Sequence, residues 1–408
     1  MKKIIIIYLI ILINITGFIL FGWLVKHYTE NDSKRFKNFE NVILNIATIP
    51  YTIMSFFKED KELVFKNKNG EAGFSNFTSE IKFKEYFVSF SSYNKDLKRF
   101  TIKILDIKKE KVIFEFDPEI KGNRVHYSHA LLLKDGNFIV KSDNTPGLYK
   151  INTCGKILWQ VDGNFHHSIE IDKEQNIFVP NRIVDSKYGQ TYLDDSISKI
   201  SKDGTILYNK SITDLILENN INFISNYIGD DPIHLNDIQP ALEDDLFWKK
   251  DDLFISIRNM DAIFIYRPSS KKITWFKQGP WSMQHDVDIH KNGLITIYDN
   301  NVRNITRKKL EKLNRIVQYD FSKDNYDFVF NSAFEKNNIN SYTGSLHEII
   351  DDQTIFIEEK DEKRFLLANQ KGKIYWQFLS NTYMSWPRIY KAKNYKEVIK
   401  NIIDYKCS

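Results

Sequence analysis

A unit of roughly 50 residues recurs six times between about residue 78 and residue 380, and this repeat restricts the fold more than any other feature. Five copies begin with a histidine on a strand of alternating apolar residues: His129-Ala130-Leu131-Leu132-Leu133, His167-Ser168-Ile169-Glu170-Ile171, His234-Leu235-Asn236-Asp237-Ile238, His285-Asp286-Val287-Asp288-Ile289 and His347-Glu348-Ile349. Each runs into a second apolar stretch and ends in GKILW (155–159) or a variant: GTILY (204–208), KKITW (271–275), NRIVQY (314–319), GKIYW (372–376). An earlier copy without the histidine runs from Phe87 to KVIFEF (111–116). Asp-Gly, Asn-Gly and Asn-Lys turns break the strands. A four-stranded propeller blade takes about 40–50 residues, so the pattern predicts an all-β, six-bladed β-propeller. A β-helix needs a shorter period, and a sandwich does not repeat.

Composition agrees. Aromatic residues make up 14% of the chain, as many short packed strands require. With 42% hydrophobic and 27% charged residues, disordered and fibrous classes are excluded. The net charge of +5 is spread along the chain, a mild bias toward anionic ligands without a nucleic-acid footprint. Cys154 and Cys407, the two cysteines, exclude a zinc ribbon, an iron–sulfur centre and a disulfide scaffold, and leave one disulfide open.

Ile4 to Val25 is a 22-residue stretch without a formal charge. At ~1.5 Å per residue it spans roughly 33 Å, enough for a hydrocarbon core of ~30 Å. No small-x-small cleavage site closes it, so an uncleaved signal-anchor is expected. Lys2 and Lys3 on one side face Lys26, Lys34, Arg35 and Lys37 on the other, so flanking charge alone does not orient it. Phe39, Val42, Ile43 and Ile46 then form a helical stripe, interrupted by Pro50, and Ile53, Met54, Phe56 and Phe57 suggest a second short helix. Packing against the main domain is the favoured reading of this stripe; the other is a membrane-interfacial or dimerising segment, hence a homodimer. The expected organisation is an anchor helix over 1–25, a helical stalk over 26–75, the propeller over 76–390 and a C-terminal tail over 391–408.

Apolar residues follow each histidine at +2 and usually +4, which places all five at one phase of equivalent strands. Equivalent strand ends cluster around one mouth of a propeller, so a ligand funnel is expected there. A metal centre is not: His285 and His290 are five apart, on opposite faces of one strand, and no carboxylate keeps a consistent phase beside the other histidines. Gly-rich phosphate loops and a nucleophile elbow are absent, and no cofactor is implied.

Over roughly residues 120–390 the chain resembles the bacterial arylsulfate sulfotransferases. The resemblance rests on His234-Leu235-Asn236, Ser256-Ile257-Arg258, Gln284-His285-Asp286 and Tyr298-Asp299-Asn300, in that order over about 70 residues. It implies a six-bladed propeller that moves a sulfuryl group from an aryl sulfate to a phenolic acceptor without a nucleotide sulfate donor such as PAPS. It also implies that His285 becomes sulfated, and that His234, Asn236, Arg258, His167 and Thr343 complete the site. Arg258-Asn259-Met260 departs from the family's usual Arg-His-Gln. The family's secreted habit implies an extracytoplasmic, periplasmic domain on an inner-membrane anchor.

These residue types suit that chemistry. A sulfate monoester reacts through a loose transition state, by analogy with phosphoryl transfer, so positioning and charge stabilisation dominate. A neutral imidazole can carry the sulfuryl group as an N–S intermediate, dividing transfer into two half-reactions. Arg258 offers a planar fork to the sulfuryl oxygens, with His167, His234 and Asn236 as further donors. His234 is the expected proton carrier, giving a proton to the leaving phenolate and taking one from the acceptor. The alternative is a non-catalytic, membrane-tethered propeller acting as a binding or assembly module, since propellers host many functions.

Overall fold

The computed structural model describes residues 2–30, 46, 70–76, 85–118, 120, 126–142, 145–189, 192–222, 230–302, 313–405 and 407. The chain divides into two units, residues 1–62 and 63–408. In the first, one α-helix runs Lys2–Glu30, and its Ile6–Leu24 segment is long and apolar enough to cross a membrane. Its large apolar side chains from Ile6 to Leu20, and Trp23, are exposed. The expected stalk helices lie, apart from Ile46, outside the described residues.

The second unit is a six-bladed propeller of antiparallel sheets. Blade 2 comprises strands Tyr127–Leu132, Phe138–Ser142, Thr145–Ile151 and Ile157–Val161. Blade 3 comprises Glu170–Ile171, Ile177–Ile183, Asp194–Ile200 and Ile206–Ser211, and blade 4 Leu235–Pro240, Leu253–Ile257, Ala262–Arg267 and Lys272–Gln278. Blade 5 comprises Val287–His290, Leu294–Asp299, Arg315–Asp320 and Asn325–Val329, and blade 6 His347–Asp351, Thr354–Glu359, Arg364–Asn369 and Ile374–Leu379. The first-written strand of each is the innermost.

Blade 1 explains the copy that lacks a histidine. Its inner strand, Met384–Lys391, comes from the far end of the chain and pairs with Tyr86–Asn94, followed by Arg99–Asp106 and Lys111–Phe116. In turn Gly73–Asn76 pairs with Ile374–Leu379 on the outer edge of blade 6. Strands from both ends of the propeller unit therefore close the ring, and Trp386 stands where blades 2, 3 and 4 have histidine.

Both faces of the middle strands are buried, which is why their sequences read as nearly unbroken apolar runs. Leu253, Ile255 and Ile257 of blade 4 pack with Phe178 and Ile197 of blade 3, while Phe254 packs with Val287, Ile295 and Ile297 of blade 5. Six such clusters fill the six blade-to-blade seams. After blade 1's inner strand the chain forms a helix, Ala392–Asp404, whose Ile399 and Ile402 are buried beside Phe138 and Val140. A disulfide joins Cys407, beyond this helix, to Cys154 in a blade 2 turn, closing a 253-residue separation.

Candidate active site

The histidines do not share one phase. His129, His167 and His234 themselves take the left-handed backbone, φ 50°, 53° and 50°. In blades 5 and 6 that position belongs to Met283 (57°) and Ser345 (75°), and His285 and His347 follow two residues later. A strand repeats its faces every two residues, so a two-residue offset leaves the apolar alternation intact and hides in the sequence. The five rings are divided between two cavities, with His285 on the wall of both.

His167, His234 and His285 converge on a cavity of about 620 Å³, whose wall also includes Arg258 and Thr343. The ring of His167 lies 5.0 Å from that of His234 and 6.2 Å from that of His285. Arg258 opens a one-turn 3₁₀ helix just after Leu253–Ile257, and its amide donates to the His234 carbonyl at 3.1 Å. Of the residues expected to form the site, Asn236 alone is absent from this wall and lines instead a second, narrower cavity. Its Nδ2 donates to the Gln284 carbonyl at 2.8 Å, so it steadies the segment that carries His285.

His285 is the most constrained of the three rings. Both hydrogens of the Asn300 amide go to carbonyls, those of Ser341 and Gly344, each at 3.0 Å. That orientation turns Asn300 Oδ1 toward His285 Nδ1 at 2.6 Å, with the Met283 carbonyl also at 3.2 Å. Two acceptors face Nδ1, so Nδ1 carries the hydrogen and Nε2 the lone pair. Nε2 accepts the Gly344 amide hydrogen at 3.0 Å, as that tautomer requires. Burial first, then the nearby charges of Arg258 and Lys360, hold the ring well below the ordinary histidine value, so it is neutral at pH 7.

Its neighbours are braced by carboxylates set behind them. His234 Nδ1 donates to Asp231 at 2.6 Å, turning its Nε2 to the cavity. Burial lowers the pKa of His234 and outweighs the raising effect of Asp231. His166 Nε2 meets Asp195 at 3.0 Å, and its Nδ1 meets His167 Nδ1 at 2.7 Å. His167 is held well below its ordinary value by burial and then by the surrounding histidines. Arg182 spans Asp195 and Asp231 at 3.2 Å each.

The narrower cavity, about 180 Å³, shares His285 and Trp386 with the first but is lined by Glu170, Asp237, Asp286, Asp288 and Glu348. Burial, then mutual repulsion, raises Asp237 and Asp288 well above the ordinary carboxylate value and Glu348 to about 7. His347 is clamped here, Nδ1 on Asp286 at 2.9 Å and Nε2 on Thr296 at 2.8 Å. Donor atoms of Asp286, Asp288 and His347 lie within 4.8 Å of one another, close enough for a cation, but both imidazole nitrogens already have partners. His129 stacks on Trp386 at 4.4 Å.

Sequence reasoning missed Asn300, Lys360, Trp386, Arg182 and His166. A positional signal existed for two of them. Arg258, Asn300 and Lys360 all follow the second strand of their blades, so aligning SIR, YDN and EEK at strand ends points to all three.

Comparison with known proteins adds the family. No curated protein matches this chain. Similar solved structures include a nidogen/laminin complex (8% identity, TM-score 0.46, covering 75% of this chain and 99% of that one) and streptogramin B lyase (12%, 0.42, 76% and 90%). Apo AztD from Citrobacter koseri is a third (7%, 0.41, 75% and 98%). At such TM-scores they bear on neither chemistry nor substrate. The family described as arylsulfotransferase (ASST) matches residues 129–381, a span that takes in every histidine of the wide cavity. With more than half of its length matched, this chain belongs to the arylsulfotransferase family.

Proposed function

We propose that the chain transfers a sulfuryl group from an aryl sulfate to a phenol through a covalent adduct on His285 Nε2, without a nucleotide donor. The observation that carries this reading is the fixed tautomer of His285, a ring on the cavity wall: Asn300 holds Nδ1–H at 2.6 Å, so the lone pair of the neutral ring is on Nε2. Nε2 attacks sulfur, the N–S bond forms, and the S–O bond to the aryl group breaks. Asn300 Oδ1 then accepts from an imidazolium, a stronger hydrogen bond than before. The attack releases the Gly344 amide from Nε2, and that N–H becomes a donor for a sulfuryl oxygen beside it. Arg258 supplies the permanent charge.

In the second half-reaction the acceptor oxygen attacks sulfur, the N–S bond breaks, and the acceptor's proton goes to His234 Nε2. Asp231, on the opposite nitrogen, steadies the resulting imidazolium. A lowered pKa keeps His234 unprotonated, free to accept this proton and without one to give a leaving group at neutral pH. Thr343 and His167 border the sulfuryl site, and Asn236 acts through the Gln284 backbone.

We read Ile6–Leu24 as a membrane tether with the propeller on the extracytoplasmic side. The Cys154–Cys407 disulfide supports this, because structural disulfides persist in oxidising compartments. The test is intact-protein mass after incubation with 4-nitrophenyl sulfate and no acceptor. Wild type should gain one sulfuryl group and lose it when phenol is added; His285→Asn should gain none and stay folded. An adduct retained in His285→Asn, or turnover by wild type without an adduct, overturns the covalent route through His285.

A further inference from the structure

We infer that Lys360 is a catalytic residue that binds the departing phenolate oxygen, an assignment that rests on the sulfuryl-transfer reading. Chemistry first calls for such a group. The three histidines of the cavity, His167, His234 and His285, are all held neutral by burial and by one another's surroundings, so none has a proton ready for the leaving oxygen. The aryl group therefore leaves as an anion, and an anion developing in a partly closed cavity needs a fixed charge.

Lys360 is built to supply one. It follows the second strand of blade 6, and its amide donates to Ser345 Oγ at 3.1 Å, fixing the strand end to the loop that carries Gly344. The lysine stem lies directly across Gly344. A Cβ at that position would fall 2.5 Å from Lys360 Cδ and 2.9 Å from Nζ, so only glycine lets the side chain lie there. Gly344 is also the residue whose amide touches His285 Nε2, so the ammonium is packed against the nucleophile's own neighbour. Nζ sits 4.9 Å from the centre of the Trp386 ring, an aromatic wall of the same cavity. Among the described residues Lys360 forms no ion pair within 4.0 Å. Arg182, by contrast, is committed to Asp195 and Asp231.

An ammonium that meets the leaving oxygen helps most when the phenol is a poor leaving group. One that only binds the sulfuryl oxygens helps every donor equally. The experiment compares single-turnover rates of adduct formation for wild type, Lys360→Met and Lys360→Arg across aryl sulfates of graded phenol pKa, from 4-nitrophenyl to phenyl sulfate. Lys360→Met should lose about 10²-fold with phenyl sulfate and only about 3-fold with 4-nitrophenyl sulfate, steepening the dependence on leaving-group pKa. Lys360→Arg, which keeps the charge, should lie between the two. A Lys360→Met enzyme with the wild-type slope, whether its rates are unchanged or uniformly lowered, overturns the assignment while sulfuryl transfer stands. Absence of any adduct on wild type overturns both.

Discussion

The two cavities that meet at His285 and Trp386 carry opposite charge. Among the described residues the wide one has Arg182, Arg258 and Lys360 on its wall and no carboxylate; the narrow one has five carboxylates against Arg388. In the wide cavity the acids, Asp195 and Asp231, stand behind the histidines and hold their ring hydrogens away from the ligand space. The lesson lies in this division. The same residue types bind an anion or repel one depending on whether the carboxylate is outside the wall or part of it. An anionic donor such as the proposed aryl sulfate should be drawn to one side of His285 and repelled from the other.

Breaking the division should cost most where an acid braces a histidine. Asp231→Asn removes the charge behind His234 and keeps the shape. Transfer from the adduct to phenol should fall by about 10²-fold, the usual worth of a general base. Adduct formation, which needs no proton from His234, should change by no more than about 3-fold, since that step loses no contact of its own. Pre-steady-state mass measurement separates the two steps. Equal loss in both would show that Asp231 serves the first half-reaction as well, against the base role given to His234.

Much of this architecture was legible beforehand. Six repeats predicted six blades, and Gln284-His285-Asp286 with His234-Leu235-Asn236 and Arg258 led to the wide cavity. The missing histidine of the first copy was legible only as an absence, because its blade borrows Met384–Lys391 from sequence-distant chain. The phase of the five histidines was not legible for a geometric reason: alternation has a period of two, and His285 and His347 are displaced by two. Asn300 was within a quoted triplet, yet its grip on Nδ1 depends on carbonyls of Ser341 and Gly344, some 40 residues away. The tail over 391–408 looked unremarkable because one amphipathic helical turn after another says nothing of which blade receives Ile399 and Ile402.

Acidity sharpens the comparison from the histidine side. In the proposed mechanism the neutral form of His285 attacks sulfur, and its lowered pKa keeps that form populated further into acid. For the donor, kcat/KM reports the free enzyme and the first half-reaction only. An ordinary histidine of pKa ~6.5 would be about nine-tenths protonated at pH 5.5, a roughly 10-fold loss. Here the loss at pH 5.5 should be smaller, within about 2-fold, with the acid limb starting lower. A limb centred at 6.5 or above would mean that His285, or whichever group limits the step, is not shielded as the buried ring implies.

The smallest effect should come from the narrow cavity, and it should appear in stability rather than rate. Burial, then Asp286, Glu348, Asp237 and Glu170, raises Asp288 well above the ordinary carboxylate value. A folded-state pKa above the unfolded one means that the native protein binds the proton more tightly. Stability is therefore greatest below the ordinary value near 3.8 and falls as pH rises toward the raised one. Asp288→Asn imitates the protonated form at every pH. At pH 8 it should raise Tm by about 1–3 °C, and the gain should vanish as pH approaches ~4. Turnover should be unchanged, since Asp288 lines the narrow cavity and is absent from the wall of the wide one, where the proposed transfer takes place. Thermal unfolding followed at both pH values is the measurement. Asp288 Oδ2 lies 3.5 Å from His347 Nε2, so the opposite result has a clear meaning. A Tm that drops at pH 8 would show that the ionised Asp288 has a stabilising partner in the cluster, and that the narrow cavity is not a group of carboxylates in mutual repulsion.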